Sequence, residues 1–496
     1  MSLVATVLVA RHGQRPPYPL PHDSSAGGPS IWSTRPFPSA SDWGMTEQDF
    51  ASQMLTPNGK EQLKHLGEYM AAQLGDPCSL AVTLIADDST RDVQSANYFA
   101  SGFLPAACSG VPVHVCNTTE TQAIGSDHAA TVQCAGPDET QVLEQFGGNF
   151  EALNELYRPQ MQLLEEVTGC CSAEACSSYG LPAAPCRLED LPYTYDGTYY
   201  NGFFSGPLQV AGALSASFML QELSGLEAAW GNLSKAQLRE LYSLHERVMW
   251  FGSGLNSSRT FGSHQLAYIL ATLEQQRTGQ AFEGLLQPPS ADHTPFVAIF
   301  AHDFNILYLR QLLRAHWITD SWQFDVAATG SHVSFELLRD GADLYRVRGS
   351  MIAGNMTQQA ENLGYTAPDA PPGKSVFLEL SFDAFRATVL DAIDVRCVVP
   401  PLRQSIEDIA AAAAQPPPAW DWPTSPQVDG ALGGIAVAIC VLALACGICI
   451  GRRCQNDTNR AMQLDHSRAI TPPAPPAEPE TSSTSASKAG ESSARN

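Results

Sequence analysis

Three short apolar runs, at residues 4–9 (VATVLV), 80–86 (LAVTLIA) and 296–301 (FVAIFA), stand out along the chain, and each stops abruptly in charged or polar residues. The runs are continuous rather than alternating, the pattern of strands buried on both faces. The first ends in Arg11-His12-Gly13-Gln14-Arg15-Pro16-Pro17, the second in Asp87-Asp88-Ser89-Thr90-Arg91, the third in His302-Asp303. Helical spacing follows each one. Thr56 and Pro57 provide an N-cap and first turn for a helix with Leu63, Leu66, Tyr69, Met70 and Leu74 on one face. Val93, Ala96, Phe99 and Ala100 mark a second helix, and Ile306, Leu307, Leu309, Leu312 and Leu313 a third. Strands alternating with helices predict an α/β fold.

Between 111 and 287 the pattern changes. Apolar positions recur at helical spacing over 150–164, 208–223 and 233–248, without alternating strands, and predict a helical insertion into an α/β core made of 1–110 and 288–400. The stretch 18–55, rich in Pro, Ser and Gly, reads as a long loop bordering the strand ends, although its Trp32, Phe37 and Trp43 equally suit burial. The aromatic run 193–204 (YTYDGTYYNGFF) suits either a pocket wall or packed core. Runs at 333–338 and 344–348 predict two late strands. Residues 401–429, Ala- and Pro-rich, read as a linker. Residues 430–450 are 21 uncharged positions followed by Arg452 and Arg453, so 430–451 is expected to form a transmembrane helix with its C-terminal side cytosolic. The tail 452–496, rich in Pro, Ser, Thr and Ala, is expected to be disordered.

Charge narrows the chemistry. With 28 basic and 51 acidic residues in 496, the chain carries a net charge of −23, which excludes nucleic acid as a partner. An anion site must then be a local cationic exception, and Arg11 and Arg15 beside His12 supply one. The prolines at 16 and 17 stop further strand pairing, and Gly13 allows close backbone approach to a ligand. Parallel α/β sheets bind ligands beyond the carboxyl ends of their strands, so endings in RHGxR, STR and HD converge on a site for an anion. His302-Asp303 also stands at a helix start, where free amides favour negative charge.

Arg11, His12, Gly13, Arg15 and Pro17 match R-H-G-x-R-x-P, and on them the chain resembles the histidine acid phosphatases. The L-T-x-x-G-x-x-Q segment from Leu55, the R-x-x-x-S-A segment from Arg91 and the His302-Asp303 pair extend the resemblance over roughly residues 3–400. It implies a phosphoglycerate mutase-like three-layer core with a mostly parallel sheet and an inserted helical cap that sets selectivity. It also implies roles. His12 is the nucleophile that forms a phosphohistidine, Arg11, Arg15, Arg91 and His302 bind the phosphoryl group, and Asp303 is the proton donor. The Ser-Thr pair directly before Arg91 is closer to it than in many acid phosphatases. No metal or cofactor is implied, and a homodimer is compatible with the reading. Phytase-like action on inositol phosphates would use the same residues. A mutase-type enzyme is disfavoured by the R-x-P continuation and the H-D pair, and a silent membrane receptor by the intact catalytic set.

Nine of the thirteen cysteines (Cys78, Cys108, Cys116, Cys134, Cys170, Cys171, Cys176, Cys186 and Cys397) precede the apolar stretch. None forms a C-x-x-C pair, so disulfides in an oxidising compartment are expected, with one thiol left over and the connectivity open. Sequons at Asn117, Asn232, Asn256 and Asn355 fit a lumenal fate. The expected product is a single-pass type I membrane phosphatase of the cell surface or an endosomal or lysosomal compartment. Residues 1–10 lack a basic n-region and contain the first strand, so a removable signal would have to lie upstream.

Overall fold

The computed structural model describes residues 1–414, apart from 24–27, 119–123, 126–133, 135–138, 145–146, 196–204, 288, 291, 342–343 and 368–370. The strands are β1 (Ser2–Arg11), β2 (Gly28–Ser30), β3 (Ser33–Phe37), β4 (Leu80–Asp87), β5 (Val113–Cys116), β6 (Thr294–Ala301), β7 (His332–Asp340), β8 (Leu344–Ala353) and β9 (Gly373–Ser381). All but the β2–β3 hairpin form one seven-stranded sheet in the order β5-β4-β6-β1-β7-β8-β9. The pairs β5–β4, β4–β6 and β6–β1 are parallel, whereas β1–β7, β7–β8 and β8–β9 are antiparallel. The sheet is therefore mixed, not mostly parallel. Between Asp340 and Leu344 the chain has too few residues for a crossover, which needs about a dozen, so β7 and β8 can only form a hairpin.

Side chains alternate across the parallel half and bury both of its faces. Leu8, Ala10, Leu84, Ala86, Phe296, Ala298 and Phe300 pack on one side with Leu63 and Leu66 of α1 (Pro57–Leu74) and Phe99 and Phe103 of α2 (Thr90–Phe103). Val7, Val9, Ile85, Val297 and Ile299 belong to the core on the other side. That core also contains side chains of α3 (Ala152–Thr168), α4 (Pro207–Leu223), α5 (Lys235–Gly252), α6 (Leu255–Thr278) and α7 (Asp303–Leu313). Helix α6 lies within the stretch expected as an insertion, yet it packs along β1 and α7 and is buried nearly all round.

Two segments differ from the sequence reading. The start of the expected linker is α9 (Leu402–Ala414), which follows α8 (Phe382–Ala392) and docks on the core through Leu402, Ile406 and Ile409. Apolar positions four and then three residues apart over an alanine-rich run explain it. The stretch 18–55 contains the β2–β3 hairpin and a short helix Glu47–Ala51, with Trp32, Phe37 and Trp43 buried. Among the described residues no helix is long and apolar enough to cross a membrane; 430–451 and the tail lie outside them.

Eight of the nine cysteines are paired, as Cys78–Cys108, Cys134–Cys397, Cys170–Cys171 and Cys176–Cys186, and the buried Cys116 thiol is left over. Cys134–Cys397 ties the inserted region to the end of the core across 263 residues.

Candidate active site

Strand order creates the site. β4, β6 and β1 are consecutive in the sheet, and their registers align Ala86 with Phe300 and Ala301 with Arg11. The three charged endings therefore emerge side by side. Backbone bonds set the exit of β1: Arg11 N donates to Ser331 O at 2.9 Å, His12 N to Ala301 O at 2.9 Å, and Gly330 N to His12 O at 3.0 Å. Gly13 is required by packing. A β-carbon there would collide with the Gly59 carbonyl and Leu63, because β1 runs against the start of α1. Thr56 caps that helix as expected, its side chain accepting from Gly59 N at 3.0 Å.

All six expected residues come together. His12 is buried, and its Nδ1 lies 2.8 Å from the Gly13 carbonyl. A carbonyl only accepts, so Nδ1 carries the hydrogen and the Nε2 lone pair is free to react. Burial, then Arg91, Arg11, Arg15 and His302, push the His12 pKa well below its ordinary value, so the ring stays neutral in acid. Arg11 donates to Ala327 O at 2.6 Å and pairs with Asp303 at 2.7 Å. Burial by itself would raise the Asp303 carboxyl, but Arg11, His245, His302 and Arg15 outweigh it and hold its pKa below the usual range. Arg15 donates to Pro16 O at 2.8 Å and Gln53 Oε1 at 3.3 Å, and lies 3.7 Å from the centre of the Tyr18 ring. Gln53 Nε2 returns to Pro17 O at 3.1 Å, so the 18–55 stretch grips the motif by its polar end.

His302 is 5.7 Å from His12, centre to centre. Its Nε2 lies 2.9 Å from Asp87 Oδ2 and its Nδ1 3.3 Å from an Arg91 guanidinium nitrogen. Because Arg91 can only donate, Nδ1 accepts and Nε2–H is given to Asp87. Asp92, fully buried, stands 3.7 Å from His302 Nε2, and burial raises its pKa to about 7. Among the described residues Asp87, Asp92 and His302 are the one group of donors spaced to hold a metal ion. Arg91, 3.9 Å from Asp92 and in contact with His302, adds positive charge that opposes a cation there.

Several contributors were not singled out in the sequence. Asp87 stood at a strand end, a position that could have revealed it. Tyr242, His245 and Glu246 of α5 could not be found that way. They lie more than two hundred residues from Arg11, whose guanidinium meets the Tyr242 hydroxyl and feels Glu246. Burial keeps His245 neutral down to about 4 and raises Glu246 to about 7. Of the 193–204 run, Tyr193 is packing: it stacks on Phe150 at 5.5 Å and donates to Asn154 Oδ1 at 2.8 Å. Residues 196–204 lie outside the described residues.

Solved structures share this fold. The phytase of Citrobacter braakii is 22% identical, with a TM-score of 0.66 over 80% of this chain and 100% of its own. Hafnia alvei phytase, in complex with tartrate, is 19% identical with a TM-score of 0.65 over 80% of this chain and 99% of its own. Klebsiella sp. ASR1 phytase is 18% identical with a TM-score of 0.62 over 81% and 97%. No curated protein matches the chain. The model of the histidine phosphatase superfamily (branch 2) matches residues 3–351, a span that contains all six site residues, and the chain belongs to that family.

Proposed function

We propose that the protein is an acid phosphatase that hydrolyses phosphate monoesters through a phosphohistidine on His12. The observation that carries this is a neutral imidazole with Nε2 free, among Arg11, Arg15 and Arg91, with Asp303 paired to Arg11. The arginines neutralise the phosphoryl oxygens through forked donors. The Nε2 lone pair forms the N–P bond as the P–O bond to the leaving group breaks, and that oxygen takes a proton from Asp303. In the second step water forms the new P–O bond, the N–P bond breaks, and the water's proton passes to the Asp303 carboxylate. Arg11, paired with Asp303, holds its carboxyl ionised. A bound phosphoryl anion shares Arg11, weakens that hold and lets Asp303 accept the proton it must later give. An acidic medium favours that protonation while His12 stays neutral, which is the physical reason for an acid optimum. The expected hydrogen bond from His302 to the phosphoryl group requires a proton on Nδ1, the atom that now faces Arg91.

The same reading includes a type I membrane protein with the catalytic domain on the lumenal or extracellular side, held by residues 430–451. The paired cysteines and the exposed Asn117, Asn232 and Asn256 of three sequons support it. A homodimer remains an expectation of the resemblance. The test is a rapid quench into base with labelled p-nitrophenyl phosphate. The wild type should yield base-stable labelled phosphohistidine and keep its turnover in EDTA. His12→Ala should yield no label and lose about 10³-fold or more in rate. Label elsewhere, or activity abolished by the chelator, would overturn the assignment.

A further inference from the structure

Beyond the phosphoryl group, a leaving group would meet Tyr18 and helix α5. Tyr18 is 42% exposed at the mouth, its ring centre 3.7 Å from the Arg15 guanidinium and 5.9 Å from that of Arg91. From α5, the Tyr242 hydroxyl lies close enough to Glu246 and Arg11 to interact with both, and the His245 ring, 5.2 Å from the Tyr242 ring, feels Asp303, Arg11 and Arg15. None of these groups is a fixed cation.

Six of the seven lysines and arginines of the inserted region are engaged elsewhere. Arg158 and Arg187 pair with Glu155, Glu165 and Glu189, Lys235 with Glu222, and Arg277 with Glu274. Arg247 lies over Trp250 and Phe251, and Arg259 donates to the Ala392 carbonyl. Arg239, exposed one turn before Tyr242, completes the lysines and arginines between 111 and 287. The stretches before 415 that lie outside the described residues contain neither lysine nor arginine. A net charge of −23 adds to the deficit.

We propose, building on the phosphatase reading above, that the enzyme selects phosphate monoesters whose leaving group is uncharged or cationic and discriminates against polyphosphorylated ones. Arg11, Arg15 and Arg91 suffice for one phosphoryl group, and Arg11 is already shared with Asp303. Each further phosphate on a leaving group would give up its water for Tyr18, Tyr242, His245 and Glu246, which offer it no compensating charge. Polyol and amino-alcohol phosphates ask for no such cation.

The test compares kcat/KM of the full chain for glycerol 2-phosphate, phosphocholine and myo-inositol hexakisphosphate at one pH and ionic strength. The first two should exceed the third by about tenfold or more. Tyr18→Lys, which places a cation at the exposed mouth, should raise the ratio of hexakisphosphate to glycerol 2-phosphate by about fivefold, a gain that misfolding cannot produce. Hexakisphosphate turned over as fast as glycerol 2-phosphate, or a ratio unmoved in Tyr18→Lys, would overturn the inference and leave the phosphatase reading intact. Absence of hydrolysis of all three would remove that reading and this inference with it.

Discussion

Replacing Asp303 with Asn separates proton donation from phosphate binding. The substitution keeps the size of the side chain and removes both its proton and its charge. Where the leaving oxygen needs a proton, positioned acid catalysis is worth about 10²–10⁴-fold. Glycerol 2-phosphate has a poor alkoxide leaving group, so its kcat should fall by about that much. p-Nitrophenolate departs readily without a proton, and its ester should lose about tenfold or less. A second effect has the opposite sign. Asp303 pairs with Arg11 at 2.7 Å, with both side chains largely buried, and so competes with the phosphoryl anion for that guanidinium. Opposite charges ~4 Å apart attract by about 4 kcal/mol at an effective dielectric of ~20, an upper bound for a cleft that admits solvent. Recovering even about 1.4 kcal/mol of it would tighten the inhibition constant of inorganic phosphate by about tenfold. The assay is steady-state hydrolysis of the two esters with phosphate as competitive inhibitor. Equal losses on both esters, or weaker phosphate inhibition in the variant, would refute Asp303 as the proton donor restrained by Arg11.

Two further outcomes follow from the contacts. Asp87→Ala leaves the buried Nε2–H of His302 without its acceptor, which costs about 1–3 kcal/mol, so kcat/KM should drop roughly 5- to 150-fold. Asp87→Asn retains an acceptor oxygen and should recover most of the loss; an equally inactive Asn variant would show that the carboxylate does more than orient His302. Gly13→Ala forces a β-carbon into the Gly59 carbonyl and Leu63, and should destabilise the fold by about 1–3 kcal/mol in urea unfolding. An unchanged midpoint would show that the close approach of β1 to α1 can relax.

The buried strands and the chemistry at their ends were legible in the sequence, because an apolar run broken by RHGxR, STR or HD is a local signal. The helix after Thr56 and Pro57 was legible for the same reason, since its cap and its apolar face lie within a single stretch. So were the six candidate residues, each within four residues of a strand end. What the local pattern could not carry was partnership. Whether β7 joins the sheet parallel or antiparallel depends on its pairing with β1, across more than three hundred residues, and the mixed sheet was missed for that reason. The packing role of Gly13 was hidden because Gly59, the neighbour that requires it, comes from another element. Residues 402–414 resembled a linker in composition until Leu402, Ile406 and Ile409 found a surface to bury against. Asp87 acquires its role only because β4 and β6 are neighbours, and Tyr242, His245 and Glu246 acquire theirs only because α5 folds back over Arg11. The sequence by itself determined which chemical groups stand at the strand ends. The tertiary structure decided their protonation, since burial and neighbouring charge keep His12 neutral and Asp303 ionised, and those quantities do not exist until distant segments meet.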